Sequence, residues 1–176
     1  SYPTQATQVM MNLIDSHDTF RYLESANGDI SRLKMAVLFQ MTYVGTPHIW
    51  YGDEIGMMGA HDPDCRRPFN WKYTEDAEKV SLRDYYKKLI EIRKENSCLR
   101  TGSFNTLLAD GMVYSFRRSD ENSSVAIIIN NDTKAHIVKI PIDKKAVIEL
   151  LTEKEFIIKD GKLEIELDAM SGVVLR

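Results

Sequence analysis

The spacing of apolar residues changes near Gly102, and this change constrains the fold more than any other feature of the chain. Before Gly102, apolar residues recur at helical spacing or stand in short runs of strand length. After it, short apolar segments alternate with turn signals such as Asp110-Gly111, which predicts an antiparallel β-sandwich for residues 102–176. The predicted strands are Val113–Phe116, Val125–Ile129, Ile137–Ile140, Val147–Leu151, Phe156–Ile158, Leu163–Leu167 and Val173–Leu175.

The first half of the chain predicts a strand, a helix and a second strand. Val9–Ile14 is an apolar run that suits a buried parallel strand. Ile30–Val44 carries apolar residues at helical spacing, and either Asp29 or Ser31 can cap it. Pro47–Tyr51 is a second short apolar run, and two strands joined in this way must be parallel.

A long loop and a second helix complete this half. The loop follows Glu54 and is rich in Gly, Pro, Asp and Arg, and long connections inside a compact domain are usually functional. Leu82–Ile92 then has the spacing of an amphipathic helix. The chain is therefore predicted to hold an α/β domain over residues 1–101 and an all-β domain over residues 102–176.

The composition excludes several classes of partner. The net charge is −3 and Lys and Arg form no run, so no nucleic acid is expected as a partner. The longest apolar stretch, around Met35–Val44, is far shorter than the roughly 20 residues that cross a bilayer, so no membrane span and no signal peptide are expected.

The two cysteines and the first residue bear on the setting of the chain. Cys65 and Cys98 lie in no CxxC or His-rich pattern, so neither a disulfide scaffold nor a zinc site is expected. Such cysteine usage favours a reducing, cytoplasmic setting. The chain begins with Ser1 rather than Met, which predicts a segment of a longer protein.

His17 and Asp18 follow the first predicted strand directly. In a parallel barrel, catalytic groups collect at the C-terminal ends of the strands, which favours a functional role. The alternative is that Ser16, His17 and Asp18 merely cap a turn. A Ser-His-Asp relay is not supported, because its three groups must converge from separate segments of a chain.

The loop after the second strand places acids beside guanidinium groups. Asp62 and Arg66 can grip neighbouring sugar hydroxyls, because Asp accepts hydrogen bonds and Arg donates them in a fixed geometry. The alternative is an internal ion pair, which is the expectation for Arg67. A metal site at His61, Asp62 and Asp64 is a further hypothesis, although these residues have no recognised ligand spacing.

Three stretches in order resemble the α-amylase family of glycoside hydrolases: Asn12–Arg21 (NLIDSHDTFR), Gly45–Met57 (GTPHIWYGDEIGM) and Gly59–Trp71 (GAHDPDCRRPFNW). The DPDCRRP form is similar to the neopullulanase, cyclomaltodextrinase and maltogenic amylase branch. The resemblance covers essentially the whole chain. It implies a retaining glycosidase that cleaves α-1,4-glucosidic bonds in cyclodextrins, pullulan or maltodextrins.

The resemblance implies a fold as well as an activity. Residues 1–101 would form the last two βα units of a (β/α)₈ TIM barrel, with Val9–Ile14 and Pro47–Tyr51 as the seventh and eighth strands. Residues 102–176 would form the C-terminal antiparallel β-sandwich of the family.

Each site residue also receives an implied role. Asp18 would be the catalytic carboxylate that holds the 2- and 3-hydroxyls and stabilises the distorted, oxocarbenium-like transition state. His17 would hydrogen-bond a ring hydroxyl of the same sugar. Asp62 and Arg66 would bind the neighbouring glucose on the non-reducing side. The α-glucan or cyclodextrin is the expected partner, and no cofactor and no metal ion are expected.

Two essential groups of such a mechanism are not found in the chain. Retaining hydrolysis needs a nucleophilic carboxylate and an acid/base carboxylate about 5–5.5 Å apart, and the family takes them from strands four and five. The polypeptide of residues 1–176 is therefore predicted to be inactive alone. Its unpaired strand edges predict self-association or a rearrangement of its first hundred residues, and the longer protein is expected to be a homodimer.

Two other functions stay open at this point. The first is a non-catalytic carbohydrate-binding or interaction module built around the β-sandwich. The second is a stand-alone metal-dependent hydrolase that uses His17, His61 and Asp62.

Overall fold

The computed structural model describes residues 2–176. The backbone forms two compact units, one that ends at Glu91 and one that runs from Ile92 to Arg176. The predicted boundary between residues 101 and 102 falls inside the second unit and stays a prediction. No helix among residues 2–176 has the length and apolar character needed to cross a membrane.

The first unit is built on two parallel strands joined by a helix. The strands β1 and β2 pair with Met11 opposite Thr46 and Leu13 opposite His48, so the predicted strand-helix-strand order and parallel pairing are confirmed. The elements are α1 (Thr4–Val9), β1 (Met11–Leu13), α2 (Tyr22–Ser25), α3 (Ile30–Thr42), β2 (Thr46–His48), 3₁₀ turns at Asp53–Ile55, Asp64–Arg66 and Trp71–Glu75, and α4 (Ala77–Glu95), which continues past Glu91.

The strand β1 differs from the prediction in its bounds and its burial. Val9 ends α1 instead of beginning the first strand. The second strand, β2, ends at His48 rather than at the predicted Tyr51. Met11 and Leu13 are 60% and 42% exposed, so the prediction of a buried first strand is wrong. The reason is that β1 pairs only with β2 within residues 2–176, which leaves its apolar side chains without further strands to pack against.

The helix α3 is fixed at both ends and ties the two strands together. The Asp29 side chain accepts hydrogen bonds from the first backbone N–H groups of the helix, as predicted. Gly45 follows the helix with φ +113°, where a Cβ would lie 2.6 Å from a backbone carbonyl oxygen, so only glycine fits. Buried Gln40 donates from Nε2 to the carbonyl oxygens of Asn12 (3.0 Å) and His48 (2.8 Å).

The second unit is an antiparallel β structure. The elements are α5 (Cys98–Thr101), β3 (Ser103–Asp110), β4 (Val113–Ser119), β5 (Ser124–Asn130), β6 (His136–Pro141), β7 (Ala146–Ile148), β8 (Glu155–Ile157), β9 (Lys162–Leu167) and β10 (Ser171–Leu175). One sheet has the strand order β10-β5-β4-β3, and β6 with β9 and β7 with β8 form two further pairs. Every predicted strand overlaps an observed one, although β7 ends at Ile148 rather than Leu151.

The strand β3 is absent from the predicted set because its sequence does not alternate. Its register with β4 shifts between Thr106 and Leu108. Such a bulge turns two consecutive side chains toward the same region, and Leu107 and Leu108 both pack against the core of this unit. A period of two therefore does not appear in the sequence of this strand.

Alternation along β6 and β9 builds much of that core. Leu163, Ile165 and Leu167 of β9 are buried, and the charged residues between them are exposed. On the facing strand, Val138 and Ile140 are buried while their neighbours are not. Ile140 is buried and Ile137, on the same strand, is exposed. The two isoleucines therefore form a matched pair for measuring how much the core stabilises this unit.

We expect Ile140→Ala to lower the free energy of unfolding of the second unit by about 2–5 kcal/mol, because it leaves a cavity in a packed core. Ile140 is 1% exposed, whereas Ile137 on the same strand is 66% exposed. Ile137→Ala should therefore change stability by less than about 0.5 kcal/mol. Urea titration with hydrogen-exchange mass spectrometry of β5 measures both variants, and equal losses would contradict this account of the core.

Candidate functional site

The residues His17 and Asp18 lie in a turn that follows β1 and is closed at its base. Asp15 Oδ2 accepts a hydrogen bond from the backbone N–H of Tyr22 (2.7 Å), which joins the two ends of the turn. Within the turn, the Ser16 N–H donates to Thr19 Oγ1 (2.9 Å). Sequence position had left open whether this segment only caps a turn, and the structure shows that it does form one.

The structure brings together all four residues predicted for the site. The Asp18 carboxylate contacts His17 Nε2 (3.0 Å) and Arg66 Nη2 (3.3 Å). Arg66 Nε lies 3.0 Å from Asp62 Oδ1 and also donates to the His17 carbonyl oxygen (3.0 Å). One guanidinium thus spans two carboxylates that come from segments more than forty residues apart.

The polar groups of this constellation face outward. The Asp18 and Asp62 side chains are 68% and 57% exposed, and those of His17 and Arg66 are about as open. Ion pairs at such exposure contribute at most about 1 kcal/mol to stability. The four residues are therefore arranged so that a polar ligand can exchange hydrogen bonds with them at little cost to the fold.

Other polar residues of the loop hold its shape. Arg67 pairs with Asp64 (2.6 Å), so the predicted internal ion pair of Arg67 is confirmed. The backbone N–H of Ala60 and, next, Arg67 lower the pKa of Asp64 below its usual value. Among residues 2–176 there is no group of three or more His, Cys, Asp or Glu side chains that could hold a metal ion, so His17, His61 and Asp62 do not form one.

Arg21 is a residue of the site region that sequence reasoning did not single out. It is fully buried. Its Nε donates to the Cys65 carbonyl oxygen (2.9 Å), and its Nη1 donates to the Tyr51 carbonyl oxygen and to Asp53 Oδ1 (3.1 Å). Its guanidinium also lies 4.7 Å from the centroid of the Tyr51 ring. The signal was its place in the NLIDSHDTFR motif, but arginine is ordinarily exposed and is not expected as a buried centre.

Buried Asp53 is electrostatically unusual. The pKa of Asp53 is raised to about 8, chiefly by burial and then by the hydrogen bond with Asp15 and the charge of Asp15, while Arg21 opposes these effects. Burial and then the charges of Asp53 and Asp15 raise the pKa of Tyr86 above its usual value. Both acids and Tyr86 are almost completely inaccessible to water.

The aromatic residues take different positions. The Trp50 ring lies 5.6 Å from the His17 ring, and half-buried Tyr51 packs against Trp50 at 4.6 Å. Trp71 is 80% exposed beside Phe69, with ring centroids 4.7 Å apart. The ring of Trp71 is thus open to solvent, whereas those of Trp50 and Tyr51 are half-buried.

The sequence has relatives of known kind. Residues 1–82 match the family model of the α-amylase catalytic domain. Over 131 residues, 74% of this chain and 22% of the relative, it is 49% identical to a cyclomaltodextrinase of Thermoanaerobacter pseudethanolicus. Over 179 residues, 99% of this chain and 30% of the relative, it is 41% identical to neopullulanase 2 of Thermoactinomyces vulgaris. The chain belongs to the α-amylase family. The predicted branch of neopullulanases and cyclomaltodextrinases is confirmed by these relatives.

Solved structures of the α-amylase family are also similar to the chain. A cyclomaltodextrinase aligns with a TM-score of 0.89 at 34% identity, over 99% of this chain and 31% of that one. An α-amylase of Geobacillus thermoleovorans complexed with acarbose aligns with a TM-score of 0.85 at 27% identity, over 96% and 38% of the two chains. The chain of residues 1–176 thus spans only about a third of the length of those structures.

We expect Arg21→Ala to destabilise the first unit by about 3–5 kcal/mol, because it leaves three buried acceptors, Asp53 Oδ1 and the carbonyl oxygens of Tyr51 and Cys65, without their donor. Arg66→Ala removes exposed pairs and should cost at most about 1 kcal/mol. Both tryptophans of the chain, Trp50 and Trp71, lie in the first unit, so urea unfolding followed by tryptophan fluorescence reports on it. Similar urea midpoints for the two variants would show that Arg21 does not have this role.

Proposed function

We propose that residues 1–176 are the C-terminal part of a retaining glycoside hydrolase that cleaves α-1,4-glucosidic bonds in cyclodextrins, pullulan or maltodextrins. The observation that carries this proposal is the exposed contact of His17, Asp18, Asp62 and Arg66 after parallel strands. Relatives named cyclomaltodextrinase and neopullulanase support the substrate class.

In this proposal β1 and β2 are the seventh and eighth strands of a (β/α)₈ barrel, and the second unit carries the C-terminal β-sandwich. The parallel pairing of β1 with β2 through α3 and the antiparallel sheets after Gly102 support these assignments. The site residues lie after the C-terminal ends of β1 and β2, where barrel enzymes collect their catalytic groups.

Asp18 is the proposed transition-state stabiliser. Hydrogen bonds from the 2- and 3-hydroxyls to its carboxylate would strengthen as positive charge develops on the ring, which can supply several kcal/mol. His17 would hold a hydroxyl of the same sugar, and Asp62 and Arg66 the next glucose. Sugar hydroxyls both donate and accept, so they can replace the ion pairs of Arg66 without leaving a polar group unpaired.

The polypeptide of residues 1–176 is proposed to lack turnover by itself. It would bind the sugar and stabilise charge, but the nucleophile and the acid/base carboxylate, about 5–5.5 Å apart, would come from other strands of the barrel. The homodimer and the cytoplasmic setting predicted for the longer protein likewise remain proposals.

We expect the polypeptide to bind acarbose and Asp18→Asn to weaken that binding at least roughly tenfold, because a hydrogen bond to a charged group contributes about 1.5–3 kcal/mol. Isothermal titration calorimetry measures the dissociation constants. Asp84→Asn is the matched control, since Asp84 is an equally exposed acid paired with Lys87 on α4.

Absence of acarbose binding would refute the proposed function, and two further results would also overturn it. One is sustained release of sugar from cyclodextrin by the purified polypeptide, which would mean that it holds a complete catalytic centre. The other is binding that ignores Asp18→Asn and maps by chemical-shift changes to residues 102–176, which would favour the non-catalytic carbohydrate-binding module.

Self-association is proposed to occur through an apolar surface beside β1. Its exposed residues are Met10, Met11, Leu13 and Tyr43, and a groove of about 390 Å³ opens beside them against α3. The edges of the two-stranded sheet lack further partners among residues 2–176. A second copy of the chain would cover both the apolar side chains and the strand edge.

We expect the wild-type chain to sediment as a dimer or larger species and Met11→Ser combined with Leu13→Ser to shift it toward monomer, because burial of these side chains stabilises the contact. Sedimentation velocity over a range of concentrations measures this shift. Ile157→Ser is the control, since Ile157 is a similarly exposed apolar residue on β8. A strictly monomeric wild-type profile would refute this proposal.

A further inference from the structure

A buried cluster of titratable side chains lies behind the turn that carries His17 and Asp18. Asp15, Asp53, Arg21 and Tyr86 are each at most 4% exposed. They come from the turn after β1, the 3₁₀ turn after β2, and α4. The proposed reaction uses none of them, yet together they contain two acids and one guanidinium in a region closed to water.

The hydrogen bonds of the two acids do not balance if both are ionised. Asp15 Oδ2 accepts from the Tyr22 N–H, and Asp53 Oδ1 accepts from Arg21 Nη1. The remaining oxygens, Asp15 Oδ1 and Asp53 Oδ2, are buried and accept no hydrogen bond from any donor of the described chain. A buried acceptor left without a donor is costly. The two carboxyl groups are, however, hydrogen-bonding neighbours of each other.

We propose that Asp15 and Asp53 share one proton, and that the protonated pair acts as a positioning device for the turn that presents His17 and Asp18. One proton held between the two carboxyl groups would supply a donor to oxygens that no other described residue serves. The role assigned to the turn rests on the proposed function, whereas the shared proton does not.

The charges that face the pair favour one proton. Arg21 supplies a single positive charge beside Asp53, and Tyr86, from α4, stays neutral because burial raises its pKa. Glu54 adds a negative charge to the same surroundings. With one proton, the pair and Arg21 together are neutral. Without it, they bury a net negative charge, which proteins avoid.

The pair is linked mechanically to the candidate site. Asp15 closes the base of the turn through the Tyr22 N–H. Arg21, paired with Asp53, donates to the carbonyl oxygen of Cys65, whose Sγ in turn donates to the His17 carbonyl oxygen (3.3 Å). Repulsion between two ionised acids would therefore displace the turn both at its base and through Arg21.

The direction of the pH effect follows from the raised pKa of Asp53. A group whose pKa is higher in the folded state than in the unfolded state stabilises the fold fully at low pH and loses that contribution as pH rises through the folded value. That value is about 8 for Asp53. The turn should therefore be ordered at neutral pH and loosen in the alkaline range, where most surface carboxylates no longer titrate.

The decisive experiment follows carboxyl and amide signals of the wild-type chain by nuclear magnetic resonance during a pH titration. We expect one aspartate carboxyl signal, assigned by its loss in Asp53→Asn, to titrate near 8, as the raised pKa requires. The amide signals of Tyr22 and His17 should move with the same midpoint. If the Asp53 carboxyl titrates below about 5, the shared proton is excluded.

Acarbose binding then tests the positioning role. Above the midpoint, the dissociation constant of the wild type should rise about tenfold per pH unit, as linkage to one proton requires. Asp53→Asn should remove this rise, because an Asn N–H can donate permanently to Asp15 while the Asn oxygen accepts from Arg21. Asp84→Asn should keep the wild-type profile.

The outcomes separate the two proposals. A carboxyl titration near 8 with no acarbose binding at any pH would support the shared proton and refute the proposed function. Binding with the same pH dependence in the wild type and in Asp53→Asn would refute the positioning role. The amide signals of Tyr22 and His17 report the midpoint in the wild type alone, so the shared proton can still be refuted if Asp53→Asn is unstable.

Discussion

The buried guanidinium of Arg21 is the interaction on which the candidate site depends. A permanent charge removed from water is tolerated only where hydrogen bonds and a counter-charge surround it. Here the carbonyl oxygens of Tyr51 and Cys65 and the side chain of Asp53 accept hydrogen bonds from its Nε and Nη1. Because these groups follow β2 while Arg21 follows β1, one side chain fastens the turn after the first strand to the loop after the second.

The exposed ion pairs around Arg66 have a different role from the buried one. In water such pairs add little to stability, so hydroxyl groups can take their place without loosening the fold. The backbone beneath them also has a buried support, because Cys65 Sγ as well as Arg66 Nε donates to the His17 carbonyl oxygen. The loop after β2 thus provides the framework of the turn and also two of the proposed ligand-binding side chains.

The exposed part of the site could be predicted from the sequence, while the buried part could not. His17 and Asp18 follow a recognisable strand, and Asp62 and Arg66 lie in a polar loop of distinctive composition. The pairing of Arg21 with Asp53 joins residues 32 positions apart, and no local pattern reports it. The same limit applies to the fold: periodicity located seven strands of the second unit but not β3, and the exposure of Met11 depends on which neighbours β1 has.

The distribution of charge separates the surface of the site from its interior. At the surface, Asp18 and Asp62 share the single cation Arg66, which leaves one negative charge uncompensated. In the interior, the proposed proton leaves Arg21 and the acid pair neutral. An uncompensated negative charge stabilises a positively charged sugar ring only if the carboxylate that carries the charge faces the substrate. An uncompensated negative charge in the interior, beneath the turn, would repel the surface carboxylates and displace them. The surface charge can therefore keep its position only if the interior is neutral.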